Sequence, residues 1–179
     1  MPNVDSYDEN LSSYFRNDHW RLEALLKRVL AANDESANVA YSEFRSELLR
    51  HIALEEKILM PAIMKAQNGV PHPYAGRLRS EHGAFAALLV PSRSEKIINV
   101  FLGIMRRNNG LEEGADGLYA ACENLPSEQI REINSRIKEY PSVPVMPHSD
   151  KPNVLAATRR AVSRAGHDFD ELANRSVSE

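Results

Sequence analysis

The chain has 179 residues, 42% hydrophobic and 26% charged, the balance of a globular protein large enough to bury a substantial core. A net charge of −3 argues against nucleic acid as the main partner, and no apolar run approaches the roughly 18 residues of a membrane span. The single cysteine, Cys122, cannot form an internal disulfide, and Met1 to Asp5 has neither the basic nor the apolar part of a signal peptide, so the cytoplasm is the expected compartment.

In chain order, the apolar spacing predicts a first helix from about Asp8–Leu11 to Ala32, with Leu11, Tyr14, Phe15, Leu22, Leu26 and Val29 inward. Asn33-Asp34-Glu35-Ser36 is a polar break. A second helix is expected over about Asn38 to Gln67, kinked or divided by Pro61 and stopped by Asn68-Gly69. After the stiff connector Pro71-His72-Pro73, a third helix spans about Tyr74 to Val90, with Leu78, Phe85 and Leu89 inward. Ser94 is the expected N-cap of a fourth, whose stripe is Ile97, Phe101, Ile104 and Met105, continuing to Asn108 and Glu112. Gly114 and Gly117 should interrupt it before Leu118, Tyr119 and Cys122. Four long amphipathic helices with short connections imply an all-α, up-down-up-down four-helix bundle, expected over 8–125. The extension, 126–179, should hold a helix over Ser127 to Tyr140, a proline-stiffened linker from Pro141 to Pro147, and a helix from an Asn153 N-cap to Ala165.

Each bundle helix carries a polar exception in its apolar stripe: His19, then His51 with Glu55, then His82, then Glu112. His51 and Glu55 are four residues apart and so neighbours on one helix face. Two inward carboxylates without an inward Lys or Arg are costly. A cation held by His19, His51, Glu55, His82 and Glu112 would remove that cost. Imidazole with carboxylate suits iron, manganese or zinc. Glu56 and Glu113, each one residue past a proposed ligand, should point away as surface charge, and His167 reads as exposed. Glu23 reads as solvated, and His72 stands at the bundle end. No histidine has Glu three residues before it, which argues against the Glu-x-x-His di-iron bundles.

The ordered set Asp18-His19, His51-x-x-x-Glu55-Glu56 with Leu59-Met60-Pro61, Glu81-His82, and Asn108-Asn109-x-x-Glu112-Glu113 with Leu118-Tyr119 resembles the hemerythrin-like (HHE, cation-binding) family. The resemblance implies a non-haem iron site, commonly two ions bridged by carboxylates, inside a four-helix bundle. It also implies binding or sensing of oxygen or nitric oxide, by a binding protein rather than an enzyme. The sequence departs from the family pattern in having Asn108 where a histidine is usual and Leu78 where oxygen carriers have a second one. One well-held ion is therefore expected, a second being short of nitrogen ligands. An iron-handling or redox enzyme, or a helical interaction domain without metal, are the alternatives. The thin apolar face of the last helix (Val154, Ala157, Ala161, Ala165) leaves bundle cover, homodimer contact or partner recognition open.

Overall fold

A computed structural model describes residues 10–32 and 34–175. The expected helix start at Asp8, and Asn33 in the expected break, lie outside them. The helices are α1 Leu11–Ala31, α2 Glu35–Leu54, α3 Met60–Ala66, α4 Ala75–Leu88, α5 Glu95–Glu113, α6 Leu118–Cys122, α7 Ser127–Glu139, α8 Pro152–Arg164 and α9 Phe169–Ala173. No strand occurs among the described residues, and none of their helices is long and apolar enough to cross a membrane.

Side-chain caps set the starts of α1, α2, α5 and α9. Asn10 accepts from the Ser12 N–H, Asp34 from that of Ser36, Ser94 from that of Ile97 and Asp168 from that of Glu171, each satisfying a donor the first turn leaves free. The expected Asn153 cap is not used. Pro152 takes the first position of α8 instead, where its missing N–H is no loss. The stop after α3 is as expected: Gly69 adopts φ +86°, and its N–H reaches back to the Met64 carbonyl at 2.9 Å.

The expected second helix is continuous in direction but irregular in winding. Between α2 and α3, Glu55–Leu59 form a π turn, in which the Met60 N–H bonds to the Glu55 carbonyl. Pro61 explains the position: its ring would press on the carbonyl four residues back, and it has no N–H to give it. The wider turn moves that carbonyl, Lys57 O, aside, and Arg136 of α7 donates to it at 3.2 Å.

Helix α1 packs on α2 and α5, and α4 packs on α5. The buried apolar residues form two groups. One contains Leu22, Leu26, Phe44, Leu48, Phe85 and Phe101, the other Leu11, Phe15, Leu54, Ile58, Leu78 and Leu118. The stripe of each long helix passes from one group to the other through its polar exception, so a buried polar layer crosses the bundle between two apolar ones. The C-terminal helices close its sides. Helix α8 lies on α4 and α9 on α5, and Val162, Ala165, Phe169, Leu172 and Ala173 join the first apolar group. The side of α8 that covers the bundle thus carries Thr158, Ala161, Val162 and Ala165, whereas Ala157 of the expected face is exposed. The linker before α8 runs extended, held by Arg45 donating to the Met146 carbonyl at 2.7 Å and Ser46 to that of Val143 at 3.2 Å. Arg159 pairs with Asp170 at 2.7 Å and lies over the Phe169 ring, which ties α8 to α9.

Candidate metal centre

Helix α1 brings His19 into the polar layer, α2 His51, the π turn Glu55, α4 His82 and α5 Glu112. All five are buried, the two glutamates completely. His19 Nε2 lies 3.1 Å from His51 Nε2 and 3.2 Å from Glu112 Oε2. His51 Nε2 lies 3.4 Å from Glu55 Oε1. One donor atom each of His19, His51, Glu55 and Glu112 fall within 4.8 Å of one another, a grouping able to hold a metal ion. His82 stands on the other side of the carboxylates, its Nε2 3.3 Å from Glu55 Oε2 and 3.5 Å from Glu112 Oε1. Each glutamate therefore turns one oxygen to the His19–His51 end and the other to His82.

The far sides of the imidazoles explain which nitrogen faces inward. Asp18 Oδ2 lies 2.9 Å from His51 Nδ1, Glu113 Oε1 2.6 Å from His19 Nδ1, and Glu56 Oε1 2.9 Å from His82 Nδ1. A carboxylate at each Nδ1 favours the proton there and leaves the Nε2 lone pair free for a cation. This corrects the expectation for Glu56 and Glu113. Both remain partly exposed, but neither points away, because each leans sideways onto the histidine of a neighbouring helix. Arg21 in turn grips Asp18 and reaches Glu47 at 2.6 Å.

With the three imidazoles neutral and so oriented, lone pairs of three nitrogens and two carboxylates would face one another in a dry interior. That arrangement is repulsive unless protons or a cation sit within it. Without a cation, protons are drawn in. Burial by itself would lower the histidines, but His51 is raised to about 10, mainly by Glu55 and Asp18. His19 is raised by Glu112 and Glu113, and His82 by Glu112, Glu55 and Glu56, against the same burial effect. Burial would raise Glu55, yet His51 and His82 hold it well below the usual carboxylate range. Three buried atoms of the cluster still make no hydrogen bond: Glu55 Oε2, His82 Nε2 and Glu112 Oε1. They are the three that meet on the His82 side. The donors fit a cation at both ends.

Tyr119, absent from the ligand set expected from sequence, enters the same layer. Its hydroxyl donates to Glu55 Oε1 at 2.6 Å, and lies 2.9 Å from His19 Nε2 and 3.5 Å from Glu112 Oε2. The chain reverses after α5 to place it. Gly117 passes so close to the Glu112 carbonyl that a Cβ there would collide, so Leu118 and Tyr119 fold back under the cluster.

Asn108 is buried one turn before Glu112, but its amide turns away from the cluster and donates to Glu81 Oε2 at 3.3 Å. Glu81 is completely buried. His167, read from sequence as exposed, reaches it: its side chain is 6% exposed and its Nε2 lies 3.3 Å from Glu81 Oε1. The polar neighbours Asp168 and Asp170 made that reach illegible. His72 is buried away from the cluster, accepting from the Tyr74 N–H at 3.2 Å, and Glu23 pairs with Lys27 at 2.8 Å. A cavity of about 10 Å³, bounded by His19, His51, His82 and Asn108 among others, adjoins the cluster. That is near the minimum for one water-sized molecule.

The order and spacing of these residues can be set against known families. Residues 10–91 match the hemerythrin HHE cation binding domain. The matched segment contains His19, His51, Glu55 and His82. The match ends before α5, so Glu112 and Tyr119 join the cluster through the fold. No curated protein and no solved structure matches the chain.

Proposed function

We propose that this protein is a non-haem iron protein that binds a small diatomic molecule, oxygen or nitric oxide. The observation that carries the reading is the two-sided carboxylate pair. Glu55 and Glu112 each offer one oxygen toward His19 and His51 and one toward His82. Two cations bridged by both carboxylates suit that arrangement, which revises the expectation of a single ion drawn from Asn108. Imidazole and carboxylate donors suit iron among the available divalent metals.

Iron so held supplies Lewis acidity and one-electron chemistry at a position open to a small ligand. The chain's own residues do the rest. His19 and His51 fix one end, with Asp18 and Glu113 holding the rings in orientation. His82, backed by Glu56, fixes the other end with fewer donors, so free coordination positions belong there. The adjoining cavity borders the three imidazoles, and Leu22, Leu48, Phe85 and Met105 around it limit entry to a small, weakly polar molecule.

The test is iron content after purification from iron-replete cells, followed by absorption spectra of the ferrous protein before and after oxygen or nitric oxide. About two irons per chain and a new band on exposure are expected. A protein that neither retains iron nor takes it up anaerobically would overturn the reading.

A further inference from the structure

We propose that Tyr119 is itself a metal donor, its phenolate oxygen completing a five-donor end with His19, His51, Glu55 and Glu112. The inference rests on the iron-centre reading and adds a ligand to it. Three polar atoms surround the Tyr119 oxygen: Glu55 Oε1 at 2.6 Å, His19 Nε2 at 2.9 Å and Glu112 Oε2 at 3.5 Å. A phenol has one proton and can serve one of them. A cation in the same place serves all of them, and the phenolate oxygen as well.

The surroundings leave the hydroxyl no other task. Phe15 stacks on the Tyr119 ring at 5.3 Å, and the side chain is completely buried. The ring is therefore held with its oxygen at the point where the inward donors of α1, α2, the π turn and α5 meet. Asn108, which stands on α5 where the family pattern has a histidine, is committed to Glu81. The reversal at Gly117 delivers an anionic oxygen to the cluster from the opposite direction.

A tyrosine oxygen is an established type of iron ligand, and a bound cation favours the deprotonated form that burial among carboxylates otherwise opposes. On loading, the proton that Tyr119 shares with Glu55 is released to solvent. The two ends then differ in kind. The His19 end has two nitrogens and three oxygens, and the His82 end one nitrogen and two oxygens.

The ferric full-length protein tests this directly. A phenolate bound to ferric iron gives a visible charge-transfer band and tyrosinate ring modes in resonance Raman. Both are expected in the iron-loaded wild type, and the ring modes should shift when the protein is made with ring-deuterated tyrosine. Tyr119→Phe should remove band and modes, while circular dichroism shows the helices intact and at least one iron per chain remains. The wild-type isotope measurement stands even if the variant does not fold. Bound iron without tyrosinate modes overturns the inference and leaves the iron-centre reading in place, as does a band that survives in Tyr119→Phe. A protein that binds no iron overturns both.

Discussion

Arg136 of α7 donates to the main-chain carbonyl of Lys57 at 3.2 Å, the carbonyl that a regular α-helix would pair with residue 61, which is proline. The contact ties the C-terminal part of the chain to the turn that carries Glu55. Losing one hydrogen bond of this kind costs about 1 kcal/mol. Arg136→Ala should therefore lower the unfolding free energy by about that amount in urea titrations without altering metal content. A loss of metal at unchanged stability would contradict this account.

Metal removal should destabilise the fold. Glu55 and Glu112 are completely buried, and a bound cation would offset their charge. Binding that favours the folded state contributes about 2.7 kcal/mol at a hundredfold excess over the dissociation constant. Differential scanning calorimetry before and after chelation, with metal loss verified by elemental analysis, should show a lower melting temperature in the stripped protein. Equal temperatures would show that the carboxylates are neutralised some other way.

The carboxylates behind the histidines offer a way to address the two ends separately. Glu56 backs only His82, and Glu113 only His19. Loss of such a partner typically weakens metal binding 10–100-fold. Glu56→Gln should lower occupancy at the His82 end, leaving one tightly held ion, whereas Glu113→Gln should weaken the five-donor end. Stepwise chelator competition reads the two affinities. Identical profiles for the two variants would mean the ends are not independent positions.

Stability should respond to pH in opposite senses with and without metal. In the metal-free protein His51 stands at about 10 against an ordinary 6.5, so its protonation favours the folded state. That contribution is complete below about 6.5 and disappears as the pH rises through about 10. The urea midpoint of the stripped protein should fall across this window. The loaded protein needs neutral imidazoles, and its midpoint should hold or rise from the lower end. Parallel slopes in the two forms would remove the basis for the prediction.

His167 anchors the turn between α8 and α9 to the buried Glu81. Hydrogen bonds to charged groups are worth about 1.5–3 kcal/mol. His167→Ala should speed amide hydrogen exchange in the α8–α9 turn while leaving α1 and α2 protected. Unchanged exchange there would mean that the apolar contacts of Phe169 and Leu172 alone hold the segment.

Much of the bundle was legible because the same pattern decides both folding and site. An apolar stripe with one polar interruption per helix places His19, His51, Glu55, His82 and Glu112 in one layer, and the structure brings them together. What escaped has physical reasons. Glu56 and Glu113 are rotated by one residue from Glu55 and Glu112, which suggests solvent, but their long side chains bend to a neighbouring helix. Tyr119 comes after a break whose path depends on Gly117 approaching the Glu112 carbonyl, and spacing alone does not reveal such a reversal. Asn108 was placed correctly on the inner face, but its partner Glu81 belongs to another helix. The hold of His167 on Glu81 joins residues 86 positions apart, beyond any periodicity.

The π turn makes the length of this stretch a stricter constraint than its composition. It winds one more residue into the helix than an uninterrupted α-helix over the same rise would take. Deleting any residue of Glu55–Leu59 would let the winding become regular with α3 still in line with α2, but it would remove the wide turn that sets the directions of Glu55 and Ile58 and would bring a carbonyl back against the Pro61 ring. A substitution at the exposed Lys57 can be absorbed, whereas an insertion or deletion between His51 and Pro61 disturbs the turn that carries Glu55. In any related chain, the count of residues from that histidine to that proline is the quantity to compare first.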